Sequence, residues 1–118
     1  MGFREHLEDV CRAEGAVAAS VMGFDGIPLD TVTPAETDVD LEALLVELSG
    51  MLKDLRDAAG RLRTGQVDEV SIGTERLTAI LRPLNPEFFV VLAMRPDGNY
   101  GKGRYLLRVA AHRLQGEF

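Results

Sequence analysis

Cysteine is nearly absent from this chain, histidine is scarce, and one long stretch carries no basic residue at all. The single cysteine, Cys11, cannot close an internal bridge, and the chain carries no disulfide framework. The two histidines, His6 and His112, fall on different helical patterns, without His-x-x-x-His spacing or a cysteine nearby. A metal centre needs three or four convergent ligands, so neither a metal nor a cofactor is expected. Apolar runs reach about eight residues, against the roughly twenty of a spanning helix. With no secretory signal in view, a cytoplasmic protein is expected. The net charge of −6 argues against nonspecific attraction to nucleic acid or anionic lipid. No lysine or arginine occurs between Arg12 and Lys53, where eight acids stand: Glu14, Asp25, Asp30, Glu36, Asp38, Asp40, Glu42 and Glu47. The C-terminal segment leans basic through Lys102, Arg104, Arg108 and Arg113. Such asymmetry either steers a partner or reflects solvated faces.

The most informative stretch runs from Gly15 to Thr33. Gly15-Ala16-Val17-Ala18-Ala19-Ser20-Val21-Met22 is apolar at almost every position, which predicts a strand covered on both faces. Phe24-Asp25-Gly26 follows, and Ile27 to Thr33 restarts as a second strand. Asp-Gly between two such runs signals a hairpin, since its turn needs residues that tolerate positive φ. Pro28 places the second strand at a sheet edge, because proline cannot donate to a ladder.

A chain of 118 residues is one domain with room for a proper core. Phe3, Leu7, Val10 and Cys11 predict a first helix over 3–13 that Gly15 closes. Thr37-Asp38-Val39-Asp40 resembles a capping box ahead of a long second helix from Asp38 to Arg63. Leu41, Leu45, Leu48, Leu52, Leu55 and Leu62 form one apolar stripe, with Leu44, Met51 and Ala58 beside it. That surface is wider than one sheet contact requires. Gly50 and Gly60 each cost the helix about 1 kcal/mol relative to alanine, which close packing must offset. Strands are predicted over 67–72, 77–82 and 88–94, the last buried on both faces. A glycine-rich loop from Arg95 to Gly103 then precedes a helix over 104–114. The αββαβββα order predicts an α+β sandwich, a five-stranded antiparallel sheet with helices on both faces.

Catalytic machinery is not expected. Cys11 is in helical phase with Leu7 and Val10, a core thiol, and His6 is no adjacent base for it. Gly98-Asn99-Tyr100-Gly101-Lys102-Gly103 suggests a phosphate loop, but a P-loop has four residues between its first glycine and Gly-Lys, then Ser or Thr. This segment has two residues there and a glycine after the lysine, so it reads as a strand-to-helix connection. Asp38, Asp40 and Glu42 complement a helix N-terminus. Arg104, Arg108 and His112 recur every four residues, as a solvated face or an anion site.

The small-apolar strand, the turn Phe24-Asp25-Gly26-Ile27-Pro28-Leu29, the long helix from Asp38 and the entry Gly101-Lys102-Gly103-Arg104-Tyr105-Leu106-Leu107-Arg108 together resemble the Roadblock/dynein light chain family, its small bacterial MglB-type members in particular. The resemblance covers nearly the whole chain. It implies a longin-like fold and a homodimer that pairs long second helices and joins edge strands into one sheet. It also implies binding of a Ras-like small GTPase, as activator, exchange factor or scaffold, without a cofactor. On that basis Leu44, Leu48, Met51, Leu52, Leu55, Val67, Val70 and Ile72 are expected at the dimer interface. Glu47, Lys53, Asp54, Arg56 and Asp57 are the candidates for GTPase contact, with Arg56 a conceivable arginine finger in trans.

Three functions compete at this point. The first is a noncatalytic dimeric GTPase regulator, in cell polarity or motility. The second is a structural scaffold subunit without effect on nucleotide turnover. The third is a small-molecule sensor, disfavoured because few polar groups converge on a pocket.

Overall fold

The computed structural model describes residues 2–118. Eight elements follow in the order α1 (Phe3–Val10), β1 (Ala16–Gly23), β2 (Pro28–Val32), α2 (Leu41–Leu62), β3 (Val70–Gly73), β4 (Thr78–Pro83), β5 (Phe88–Met94) and α3 (Tyr100–Gln115). The strands form one antiparallel sheet, ordered β2-β1-β5-β4-β3. β2 and β3 are its edges, and Pro28 opens the edge strand β2, where its missing donor costs nothing.

β1 is buried at every position because helices cover both faces of the sheet. On one face Leu7 and Val10 of α1 and Leu107, Ala111 and Leu114 of α3 meet Ala19, Val21, Ile80, Val90 and Leu92. On the other, Leu45, Leu48 and Leu52 of α2 meet Met22, Leu81, Phe89 and Val91. Small side chains on β1 let the layers close, and consecutive residues of β5 serve opposite cores. The hairpin turns at Asp25-Gly26 as its residues demand. Gly26 has φ +89, the Gly23 N–H donates to the Ile27 carbonyl at 2.9 Å, and the Ile27 N–H donates to Asp25 Oδ1 at 3.0 Å.

Several boundaries differ from expectation, each for a local reason. α1 stops at Val10, with Cys11 as its C-cap. Gly15, four residues further on, instead takes φ +92 where its backbone presses against Gly98. α2 begins at Leu41, because the Asp40 carboxylate accepts the Ala43 N–H at 3.1 Å. Thr37 serves a separate turn, its hydroxyl accepting from the Val39 N–H at 3.2 Å. β3 begins at Val70, three residues after the expected start. α3 begins at Tyr100, inside the segment expected to be loop: Asn99 Oδ1 accepts the Lys102 N–H at 3.1 Å and caps it. Gly103 is buried in that first turn, where a Cβ would come within 2.7 Å of Met94 Sδ and 3.1 Å of Leu92 Cδ2. The glycine there allows helix and strand to touch.

Candidate interaction surfaces

α2 shows how the apolar excess of the sequence is divided. Leu45, Leu48 and Leu52 lie on the sheet, at 6%, 2% and 1% exposure. Leu48 and Leu52, expected at a subunit contact, are therefore held in the core of their own chain. Leu55 and Leu62 leave that stripe and join Met51, at 43%, 73% and 45% exposure. At 100° per residue, Met51, Leu55, Ala58 and Leu62 share one flank, with half-buried Leu44 at its head. The opposite flank faces the β1–β2 hairpin, since Ser49 and Val46 are the atoms nearest Gly26. The apolar flank thus looks toward β3, where Val70 and Ile72, with Val67 just ahead of the strand, pack against the same core and remain partly open. β3 bonds to β4 along one edge only. A row of leucine and methionine side chains beside a free strand edge is an unfilled joint. Beyond the helix's own local backbone, a Cβ added at Gly50 or Gly60 would meet no atom of the described residues within 4 Å, so no packing partner among them accounts for either glycine.

The polar candidates separate as well. Glu47, Lys53, Asp54 and Asp57 are exposed, whereas Arg56 is half-buried. Its guanidinium carbon lies 3.7 Å from the centroid of the Phe24 ring, and Nη1 donates to the Pro86 carbonyl at 3.1 Å. Arg56 fastens the β1–β2 and β4–β5 turns to α2. Sequence spacing gives no sign of this tie, which joins residues thirty or more positions apart.

On the other face of the sheet Glu69 collects two arginines. Its Oε1 accepts from Arg82 at 3.0 Å and its Oε2 from Arg104 Nε at 2.8 Å. Burial alone would raise the Glu69 pKa, but the hydrogen bonds and charges of Arg104 and Arg82 hold it below the ordinary carboxylate range. Beside it Ser71 and Tyr100 share a hydroxyl–hydroxyl bond of 2.7 Å. The N-terminus of α3 is thus pinned to β3.

The other singled-out groups have structural occupations. Cys11 packs against the α1–α3 core. Burial, and then the charge of Glu8, push its thiol up to about 11, far from the thiolate a nucleophile needs. His6 is buried, with Nε2 3.1 Å from Glu117 Oε1. Most backbone donors of the Gly98–Gly103 segment are committed: the Asn99 N–H to the Glu14 carbonyl at 2.8 Å, Tyr100 to Gly98 at 3.1 Å, and Gly103 to Asn99 at 2.9 Å. Among the described residues no group of three or more His, Cys, Asp or Glu could hold a metal ion. No helix among the described residues is long and apolar enough to cross a membrane.

Neither the family models nor the curated proteins give a match to this chain. Solved structures do. MglC from Myxococcus xanthus is 48% identical, covering 100% of each chain at a TM-score of 0.73. Two structures of MglB are each 21% identical at a TM-score of 0.85 and cover 97% of this chain. One is described as a gliding protein, from Thermus thermophilus, matched over 86% of its length. The other is described in a tetrameric arrangement and matched over 85%. A Roadblock/LC7 domain from Streptomyces avermitilis is 12% identical, covers 96% of this chain and 94% of its own, and has a TM-score of 0.82. The MglB and Roadblock/LC7 likenesses establish a Roadblock fold, and 48% identity to MglC along the entire length places this chain in one family with MglC.

Proposed function

We propose that this chain is a noncatalytic, dimeric, cytoplasmic regulator of a Ras-like small GTPase, acting in cell polarity or motility. The observation that carries the reading is the whole-length identity with MglC on a fold shared with a gliding protein. Two chains meet through the open flank of α2, with Leu44, Met51, Leu55 and Leu62, and through the free edge of β3, with Val70 and Ile72 and, just ahead of the strand, Val67. The Roadblock resemblance supports this arrangement, and the description of an MglB structure as tetrameric supports self-association in general. The GTPase docks on the exposed polar side of the paired helices, among Glu47, Lys53, Asp54 and Asp57. Regulation there is differential binding to the GTPase's nucleotide states, reshaping its switch loops without a protein-borne catalytic group.

The test is capture of a Ras-like GTPase from the same genome, loaded with GDP or with a non-hydrolysable GTP analogue, followed by GTP turnover with and without this protein. The reading predicts preference for one nucleotide state and altered turnover or exchange. Tight binding that leaves both unchanged assigns the chain to the scaffold class instead. Absence of binding in either state contradicts a GTPase partner.

A further inference from the structure

The sequence places Arg104, Arg108 and His112 on one stripe, and the structure divides that stripe. Arg104 is consumed by Glu69. Arg108 and His112 turn toward a groove of about 840 Å³ at the end of the sheet, where β4 turns into β5. One wall of this groove is α3, the other is the C-terminal half of α2 with Arg63, and residues 65–68 close its side. The helices lie on opposite faces of the sheet, so the groove wraps its end.

Four arginines, Arg56, Arg63, Arg82 and Arg108, line it against two acids, Asp57 and Asp68, in a chain whose net charge is −6. Arg82 is fixed by Glu69 and Arg56 by the Pro86 carbonyl. Arg63 and Arg108 have no acidic partner among the described residues; Arg108 lies only over Tyr105, at 5.8 Å. Two arginines lining one groove without an acidic partner among the described residues are available to receive carboxylates, which arginine binds bidentately. Between the charges run Pro83, Leu84, Pro86 and Ala111, apolar floor for a peptide's side chains. The two acids would repel a uniformly anionic strand, whereas a peptide can turn its N–H groups toward them.

We propose that this groove is a docking site for an acidic peptide segment of a partner protein, with Arg63 and Arg108 as its anchors. The anchors Arg63 and Arg108 lie outside the α2 flank and the polar residues assigned to the GTPase, while the groove's walls share Asp57 with that contact and Val67 with the subunit joint.

The probe is a fluorescein-labelled peptide of alternating glutamate and alanine, titrated by anisotropy at low salt. Glutamine–alanine and lysine–alanine peptides and a single-stranded oligonucleotide of equal charge serve as comparisons. The proposal predicts binding of the glutamate peptide alone or far ahead of the others, weakening several-fold as salt rises to about 0.3 M. Arg108→Glu, and separately Arg63→Asn (a residue suited to the left-handed turn at φ 57), should each weaken it at least fivefold. Arg61→Glu, a charge change on the same helix outside the groove, should lower affinity less than twofold. Failure of the glutamate peptide to bind, equal loss with Arg61→Glu, or tighter capture of the oligonucleotide would each overturn the assignment.

Discussion

Removing the Arg56 side chain tests whether this arginine is a catalytic finger or a structural tie. Two interactions would be lost in Arg56→Ala. The guanidinium over Phe24, at 3.7 Å, contributes about 0.5–1 kcal/mol by the usual strength of cation–π contacts at partly exposed sites. The bond to the Pro86 carbonyl adds about 0.5–1.5 kcal/mol, the net value of an ordinary hydrogen bond. The higher value for charged donors is not applied, because the side chain is half-exposed and water competes for it. The two sum to about 1–2.5 kcal/mol, and the midpoint of a domain this size moves about 3–5 °C per kcal/mol. The thermal unfolding midpoint of Arg56→Ala should therefore lie roughly 3–12 °C lower. Arg56→Lys should recover less than half, since an ammonium cannot lie flat on the ring and reach Pro86 together. GTP turnover by a bound GTPase should survive the substitution at temperatures where the variant is folded. A midpoint within a degree of the parent, combined with lost turnover, would refute the tie and restore the finger.

Two further perturbations address the core and the Glu69 cluster. Leu52→Ala, at a position 1% exposed, should cost about 2–5 kcal/mol by loss of buried volume, while Leu55→Ala should leave the isolated fold nearly as stable, both read from denaturant midpoints. Because the folded-state pKa of Glu69 is lowered, its contribution is present above the unfolded value of about 4.3 and is lost as pH falls through the folded one; Glu69→Gln should flatten the stability–pH curve below about pH 4.5, and an unchanged slope would refute the cluster.

What could be read in the sequence was whatever local chemistry decides. The unbroken small-apolar run makes β1 a strand covered on both faces, and Asp25-Gly26 fixes its turn. Pro28 marks an edge, and alternating large residues in β5 require two cores. The eight elements appear in the expected order for these reasons. Long-range packing decided the rest. Gly101 and Gly103 weaken a helix locally, so the sequence pattern starts α3 late. The cost at Gly103 is met by contact with Met94 and Leu92, which no local pattern reveals. Leu52 and Leu55 are alike in composition, and only the direction of the sheet beneath α2 separates a core leucine from a surface one. The tie of Arg56 to Phe24 and Pro86, the capture of Arg104 by Glu69, and the groove beside Arg63 and Arg108 all join residues from distant segments. Charge counts alone could announce them as asymmetry and no more.

The central claim is that the open flank of α2 beside β3 is where two chains meet. Light scattering coupled to size exclusion, at micromolar concentration, tests it on the parent and on Met51→Asp/Leu55→Asp. The parent should have about twice the 12.9 kDa of one chain. The double variant changes only exposed positions and should run as a folded monomer. A monomeric parent, or a variant that keeps the full dimer mass, would contradict the account.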